Sequence, residues 1–388
     1  LAATVSEGVV IAGGGLAAQR CAETLRRLGY EGRLRIVCAE RHLPYDRPPL
    51  SKEALREEQA SVGFRAEKWF EETAIEVLRG ARASRLDAAA HRLELDGGES
   101  LGYEQLVIAT GATPRMLPAF AGYGNVSTLR TLEDARALRE LLKRARRLLI
   151  IGAGFIGQEV AAAARAHGTA VSVIEAEPLP MHGLLGREIG GWLAQLHREE
   201  GVELVLGQTA AQIHGSDRVE EVTLEDGRRI AADHVLVAVG VSPELGWAAD
   251  AGLPADGIPT DTGGRSELAD VYAAGDAAAF HDPFLGRHAL IGHWEAAGRQ
   301  GAAVAHAILE RPPPPPTLSS FWSEQYGVRI NYVGHAALAD AVEIDGDMAA
   351  RDFVALYTRA GVPIAALAVG RPRALGELRE RLSYMTEG

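Results

Sequence analysis

Two short runs of small residues are the places in this 388-residue chain where backbone is built to meet a phosphate. In Gly13-Gly14-Gly15-Leu16-Ala17-Ala18, residues Gly13, Gly15 and Ala18 take the three positions of a dinucleotide fingerprint, and Gly152-Ala153-Gly154-Phe155-Ile156-Gly157 repeats it. Each small residue has a task. The first makes a tight turn, the second lets backbone N–H groups approach a pyrophosphate, and the third lets the following helix lie close to the preceding strand. The helix N-terminus then adds an anion site. An acid follows each run, Glu40 after the strand Leu34 to Cys38 and Glu175 after the strand Ala170 to Ile174, near where a carboxylate binds a ribose diol. One glycine turn of this kind serves as often for packing alone. Two complete copies, each with its acid, point to two dinucleotides.

The elements that position these residues are apolar runs of the buried-strand kind, Val9 to Ala12 and Leu148 to Ile151. Arg41 to Lys52 (RHLPYDRPPLSK) is expected to be irregular, because Pro44, Pro48 and Pro49 break a ladder or a helix, yet it carries Tyr45, Asp46, Arg47 and Lys52. A mostly solvated helix is expected over residues 53–75 and short strands between Glu76 and Leu95. Leu106 to Ile108 is a buried strand that ends in the turn Ala109-Thr110-Gly111, which is either punctuation or a place where backbone meets a cofactor. A charged helix from Leu129 to Arg147 feeds the second fingerprint. A helix over 181–201, a strand Val202 to Leu206 and a meander with a turn at Asp226-Gly227 follow, and Val235 to Gly240 closes this unit. Val271 to Asp276 is a third strand-and-glycine run, whose Asp276 suits a cofactor hydroxyl and suits a helix cap nearly as well. After a helix over 295–309, the five prolines Pro312 to Pro316 make a stiff extended linker and a boundary. Beyond it, strands are expected at 328–333, 352–358 and 363–369, with a last helix at 374–383.

Composition narrows the classes. A hydrophobic content of 47% is that of a globular chain with real cores. A net charge of −12 disfavours nucleic acid and anionic membrane as partners, both of which need clustered Lys and Arg. No apolar run approaches the roughly 20 residues of a membrane span, and no charged-then-apolar leader precedes the first strand, so a soluble cytoplasmic protein is expected. The only cysteines, Cys21 and Cys38, are too few for an iron–sulfur cluster and too far apart for a redox dithiol, so both are read as small buried residues. No zinc-like Cys–His spacing occurs, and no metal is expected.

An ordered set of motifs then resembles one family, the FAD-dependent, NADH-linked ferredoxin reductases of bacterial oxygenase systems, with a glutathione-reductase-like fold. The set comprises the Gly13 fingerprint, LPYDRPPLSK at 43–52, IATGATPR at 108–115, LRTLEDA at 129–135, the Gly152 fingerprint running into Gln158-Glu159-Val160, YAAGDAA at 272–278, FWSEQYG at 321–327 and GRPRAL at 370–375. The resemblance implies an α/β chain with two Rossmann-like dinucleotide-binding domains and a C-terminal α+β interface domain. The FAD-binding domain would take 1–114 and 246–317, the NADH-binding domain 115–245 and the interface domain 318–388.

By this resemblance Gly13, Gly15, Leu16 and Ala17 lie against the FAD pyrophosphate, with Ala39 or Glu40 at the adenosine ribose. Ala83 touches the adenine end, Arg47, Arg130, Gly275 and Asp276 hold phosphate and ribityl parts, Ala109, Thr110 and Gly111 line the cofactor, and Trp294 sits at the pyrimidine side of the flavin. NADH is held by Gly152, Gly154, Phe155, Ile156, Gly157 and Gly240, with Glu175 at its ribose diol. Glu175 would repel a 2′-phosphate, so NADH is expected over NADPH. Lys52 reaches the flavin N5 region with Glu159 beside it at the nicotinamide, although the same pair reads as an ordinary ion pair. Trp322 stands at the exposed flavin edge, or else is a core tryptophan of a small domain. The implied partner is a 2Fe-2S ferredoxin, met by Arg329, Arg371 and Arg373, with the chain a monomer or homodimer. Gly370, Ala297 and His293 depart from the family pattern and bear on that partner surface. The alternatives are a rubredoxin reductase or an NADH oxidase or diaphorase of the same fold, and, in another class, an apoptosis-factor-like redox-sensing protein. The loop after the first acid lacks the cysteine of the oxidases, and the −12 charge weighs against the last.

Overall fold

The computed structural model describes residues 7–384, apart from some side chains in the last helix. Two compact units emerge: one made of the chain through Asp46, Val62–Thr113 and Ser242–Ser319, the other of Arg47–Ser61, Pro114–Val241 and the chain from Ser320.

The first unit is built on a five-stranded parallel sheet in the order Val271–Ala273, Gln105–Ile108, Val9–Ala12, Leu34–Cys38, Ile75–Arg79. Val9 to Ala12 is apolar throughout because both faces are covered. Val9 and Ile11 pack with Cys21, Leu25 and Val304, while Val10 and Ala12 pack with Leu86, Leu93 and Leu106. Fully burying a Leu or Ile side chain is worth about 1.5–3 kcal/mol, so this doubly covered strand anchors the unit. The helices Leu16–Arg27 and Trp294–Ile308 lie close together because Gly301 permits it: a Cβ there would fall 2.2 Å from the Ala17 carbonyl oxygen. Cys21 and Cys38 are both buried, as read from the sequence.

The second unit repeats the plan with Glu203–Leu206, Ala170–Glu175, Arg147–Ile151, His234–Val237 and Val126–Ser127, all parallel. A five-stranded antiparallel sheet joins it, in the order Ser320–Gln325, Val328–Gly334, Val362–Val369, Asp352–Arg359, Ala341–Asp347. Its inner face shares a core with the helix His182–Glu199, where Leu185, Ile189 and Leu193 meet Phe321, Tyr332 and Phe353. That shared core groups the C-terminal sheet with the second unit.

Three local expectations change. Pro48 and Pro49 do not leave 41–52 wholly irregular: they open a 3-10 turn, Pro48–Ser51, where their missing N–H groups cost nothing. The single helix expected over 53–75 is two short ones, Glu53–Arg56 and Glu67–Glu72, and Leu55 and Phe70 are buried. The helix expected to run to Arg147 is Leu132–Leu142, since Arg147 already pairs with Ala170 as a strand residue.

The segment 47–61, expected with the first lobe, groups with the second unit, which it meets through side chain-to-backbone bonds in both directions. The Arg139 guanidinium donates to the Ala54 and Glu57 carbonyls at 3.3 and 3.1 Å. His167 Nε2 bonds the Leu55 carbonyl at 2.8 Å, and Arg47 donates to the Arg130 carbonyl at 2.7 Å. The Arg139 and His167 bonds close the carbonyl end of Glu53–Arg56, a helix too short to hold itself.

Candidate functional site

In the first unit, Gly13 (φ +135°) makes the turn after the strand, its N–H held by the Val37 carbonyl at 2.8 Å. Gly15 stands at the N-cap of Leu16–Arg27 with extended backbone; no side chain caps that helix, and a Cβ on Gly15 would meet nothing within 4 Å. The second unit repeats this. Gly152 (φ +104°) turns, Gly154 stands uncapped before Phe155–Ala166 with open space at its Cβ position, and a Cβ on Gly157 would fall 2.1 Å from the Gly152 oxygen. The helix Leu132–Leu142 provides the contrast: Thr131 and Asp134 close its N-terminus with a capping box. Helix ends left open behind glycines that face empty space fit the pyrophosphates of FAD and NADH.

The two acids are held differently. Glu175 folds onto its own glycine turn, accepting the Ala153 N–H at 2.6 Å and the Glu177 N–H at 2.9 Å. Register puts Ile174 beside Ile151 and Val37 beside Ala12, so the position matching Glu175 is Cys38. Cys38 leaves no carboxylate there, and its sulfur would lie 2.7 Å from a Cβ on Gly14. The pair of candidates Ala39 and Glu40 thus lies one and two residues beyond that place. Ala39 is exposed, whereas the Glu40 carboxylate is half-buried and accepts the Tyr45 hydroxyl at 2.6 Å.

Around these, Ala109 N–H is bonded to the Ala12 carbonyl at 2.8 Å, the Thr110 hydroxyl to the Glu244 carbonyl at 2.8 Å, and Gly111 turns at φ +74°. Ala83 is buried in the strand Ala83–Asp87. Gly275 (φ +73°) donates its N–H to buried Gln300 at 2.8 Å, beside half-buried Asp276 in the 3-10 turn Gly275–Ala277. Trp294 donates its indole N–H to Asp46 at 2.5 Å. Arg47, Lys52 and Arg130 belong to the second unit.

Also in the second unit, Lys52 Nζ lies 2.7 Å from Glu159 Oε2, both side chains under a tenth exposed. The same carboxylate accepts the Ser51 hydroxyl at 2.5 Å and the Ser323 hydroxyl at 2.7 Å. Neither serine was singled out in the sequence, although Ser323 falls on the inward phase of Phe321-Trp322-Ser323-Glu324-Gln325. Phe155 stacks edge-on against Phe321 at 4.5 Å, Ile156 is exposed at 39%, and Gly240 (φ +95°) accepts the Arg115 N–H at 2.9 Å. Trp322 is half-buried on the outward phase, with the Arg329 guanidinium 5.9 Å over its ring, so it is not a core tryptophan. Of the candidate partner-facing arginines, Arg371 is tied to Asp352 and Asp345 at 2.7 and 3.0 Å, Arg329 bonds Asn331 at 3.2 Å, and Arg373 is exposed.

Burial holds His197 and His234 neutral, each with its pKa pushed down to about 4. Unfolding exposes them at 6.5, so between pH 6.5 and 4 the unfolded chain binds more protons and stability drains away as pH falls. The loss reaches roughly 3 kcal/mol per histidine. Urea unfolding at a series of pH values should show this slope, and His234→Asn should remove its share. An unchanged slope would mean that His234 titrates alike in both states.

Two open dinucleotide cradles and a buried ion pair between Lys52 and Glu159, the latter on the second fingerprint helix, define a two-cofactor oxidoreductase. The chain belongs to the pyridine nucleotide-disulphide oxidoreductase family, which matches residues 7–301, and residues 320–386 match the reductase C-terminal family. It is 39% identical over 94% of its length, and 90% of the relative's, to the ferredoxin reductase component of chlorobenzene dioxygenase from Cupriavidus sp. (strain PS12). Among solved structures it is similar to the ferredoxin reductase for the CYP199A2 system of Rhodopseudomonas palustris, with TM-score 0.91 and 37% identity over 96% of this chain and 93% of that one. It is likewise similar to the reductase of the covalent putidaredoxin reductase–putidaredoxin complex, with TM-score 0.93 and 30% identity over 97% and 92%. The fold class and the family read from the motifs are both shown, and the chain is an oxidoreductase that uses FAD and NAD(H). Among the described residues no helix is long and apolar enough to cross a membrane, and no cluster of potential metal ligands is found.

Proposed function

We propose that this chain takes electrons as hydride from NADH onto its FAD and delivers them singly to a 2Fe-2S ferredoxin that serves an oxygenase, in the cytoplasm. The observation that carries this is the second cradle with Lys52–Glu159 built onto its helix in a chain without a cysteine pair. Cys21 and Cys38 lie buried in the core of the first sheet, which disfavours a dithiol relay and favours direct delivery from the flavin to an external acceptor. The relatives named as ferredoxin reductase components support that carrier's identity.

FAD supplies the conversion of a two-electron donor into one-electron deliveries; the protein supplies binding, orientation and field. Gly13, Gly15, Leu16 and Ala17 hold its pyrophosphate at the open helix end. Glu40 serves its ribose and Asp276 its ribityl hydroxyls. Gly152, Gly154 and Gly157 hold the NADH pyrophosphate, and Lys52 and Glu159 fix charge and hydrogen bonds at the reacting end. Trp322 and Arg329 mark the outward face offered to the ferredoxin.

The purified protein should be yellow, and NADH-dependent cytochrome c reduction should rise when a 2Fe-2S ferredoxin from a panel is added. A rate indifferent to every ferredoxin, with oxygen or quinone reduced as fast, would sink this assignment. Glu175 carries the coenzyme preference. Its carboxylate suits a ribose diol and repels a 2′-phosphate, so Glu175→Ala should narrow the NADH:NADPH ratio of kcat/KM by about tenfold or more, the size of a lost charged hydrogen bond. An unchanged ratio would place the preference elsewhere.

A further inference from the structure

A run of buried polar groups leads from the C-terminal sheet to the Lys52–Glu159 pair. Ser323, Gln325, His197 and Gln158 are each at most 2% exposed. Ser323 donates to Glu159 Oε1 at 2.7 Å, and its oxygen accepts from Gln325 Nε2 at 3.2 Å. The Gln325 and Gln158 carbonyl oxygens lie 3.0 and 3.2 Å from His197 Nε2. Gln158 spends its amide hydrogen on the Ala153 carbonyl at 2.9 Å, which can only accept, so its oxygen is fixed towards the imidazole. His197 Nε2 must therefore carry the hydrogen. Nδ1 is then bare and accepts the Tyr326 hydroxyl at 2.7 Å. Every hydrogen in the series Tyr326, His197, Gln325, Ser323 points toward Glu159.

Such a series is costly inside an apolar core unless each group is satisfied, and here each is. Around it lie Leu193, Leu196, Phe321 and Ile330, which shows that this core could have been closed with hydrocarbon. The strand Ser320–Gln325 instead turns from Phe321 to Ser323 and Gln325 on its inward face where it meets Glu159. One carboxylate oxygen is thereby fixed by Ser323, leaving the other to Lys52 and Ser51.

We propose that Ser323, backed by Gln325 and His197, is the positioning residue of the Lys52–Glu159 pair, so that the C-terminal sheet orients the hydride-transfer site as well as facing the ferredoxin. This rests on the assignment of that pair to the hydride step. Without Ser323, Glu159 Oε1 has lost the hydroxyl that orients it; the carboxylate turns, and the Lys52 ammonium shifts with it. Displacements of this order slow an oriented reaction by about 10- to 100-fold.

The test is single-turnover flavin reduction by NADH in FAD-loaded Ser323→Ala, Ser323→Thr, Gln325→Leu and Glu159→Gln proteins. Ser323→Ala should be slowed about tenfold at saturating NADH with little change in the NADH concentration needed, Ser323→Thr should recover most of the rate, and Gln325→Leu should fall between. A second readout is independent of turnover. In protein labelled with ¹⁵N-histidine, His197, assigned by the signal lost in His197→Gln, should show a neutral ring with its hydrogen on Nε2. A wild-type rate in Ser323→Ala while Glu159→Gln is slow, or a His197 ring with its hydrogen on Nδ1, would overturn the positioning role. A wild-type rate in Glu159→Gln would instead overturn the assignment of the pair to the hydride step.

Discussion

Replacing Gly13 by alanine is expected to yield a destabilised protein isolated without flavin. A Cβ at this position would lie 1.9 Å from the Ala109 carbonyl oxygen and 2.4 Å from its carbon, on a backbone already at φ +135°. Ala109 cannot retreat, because its N–H is bonded to the Ala12 carbonyl at 2.8 Å and the strand behind it is locked in register with Val9–Ala12. Overpacking of this kind costs about 1–3 kcal/mol and a strained positive-φ residue about 1–3 kcal/mol more. The sum is a large part of the roughly 5–15 kcal/mol that holds a domain together. Gly15→Ala is the informative companion. Its Cβ meets nothing and its φ of −94° suits any residue, so it should fold with near-normal stability yet bind FAD weakly, the new methyl standing where the pyrophosphate must approach. Urea unfolding together with the flavin-to-protein absorbance ratio separates the two variants. If Gly13→Ala kept its flavin and its unfolding midpoint, the turn would not be the constraint it is held to be.

Those glycines were legible in the sequence because their requirement is local: a turn, an approach and a close helix contact each demand a missing side chain at a fixed spacing. The same holds for Val9–Ala12, apolar throughout, and for Leu34–Cys38, apolar but for Arg35, whose buried guanidinium donates to the Glu7 and Gly102 carbonyls. What escaped was decided at a distance or hidden by exposure. Ala341–Asp347 is an edge strand with no fully buried residue, and only Val342 and Ile344 turn half-buried toward the core, too short an alternation to stand out. Ser51 and Ser323 are unremarkable serines until the fold sets both on the Glu159 carboxylate, 108 and 164 residues away in the chain. The place of Cys38 opposite Glu175 depends on register, which only the paired strands disclose. The ion pairs of Arg371 with Asp345 and Asp352, 26 and 19 residues back in the chain, likewise depend on strands that the fold brings together.

Lys52→Met should slow flavin reduction by NADH about 100-fold or more, the usual cost of removing one preorganised charge from a reacting centre. It should also destabilise the protein, and the two effects separate in a double-mutant cycle. With Lys52 gone, Glu159 is a carboxylate 4% exposed that keeps the Ser51 and Ser323 hydroxyls as donors and has no cation to pair with among the described residues. Stranding one member of a buried ion pair costs about 3–5 kcal/mol, because the remaining charge has lost water and partner alike. Removing the charge as well, in Lys52→Met/Glu159→Leu, abolishes that penalty. It leaves the Ser323 hydroxyl short of its acceptor while Ser51 keeps the Pro48 carbonyl at 3.4 Å, a smaller cost of about 1–3 kcal/mol. The double variant is therefore expected to be less destabilised than the sum of the single variants by at least about 2 kcal/mol, while its flavin reduction stays as slow as in Lys52→Met. Recovery of stability without recovery of rate is what distinguishes a pair kept for chemistry from one kept for packing. Additive stabilities would show that the two charges are not coupled, and a wild-type reduction rate in Lys52→Met would remove Lys52 from the reaction.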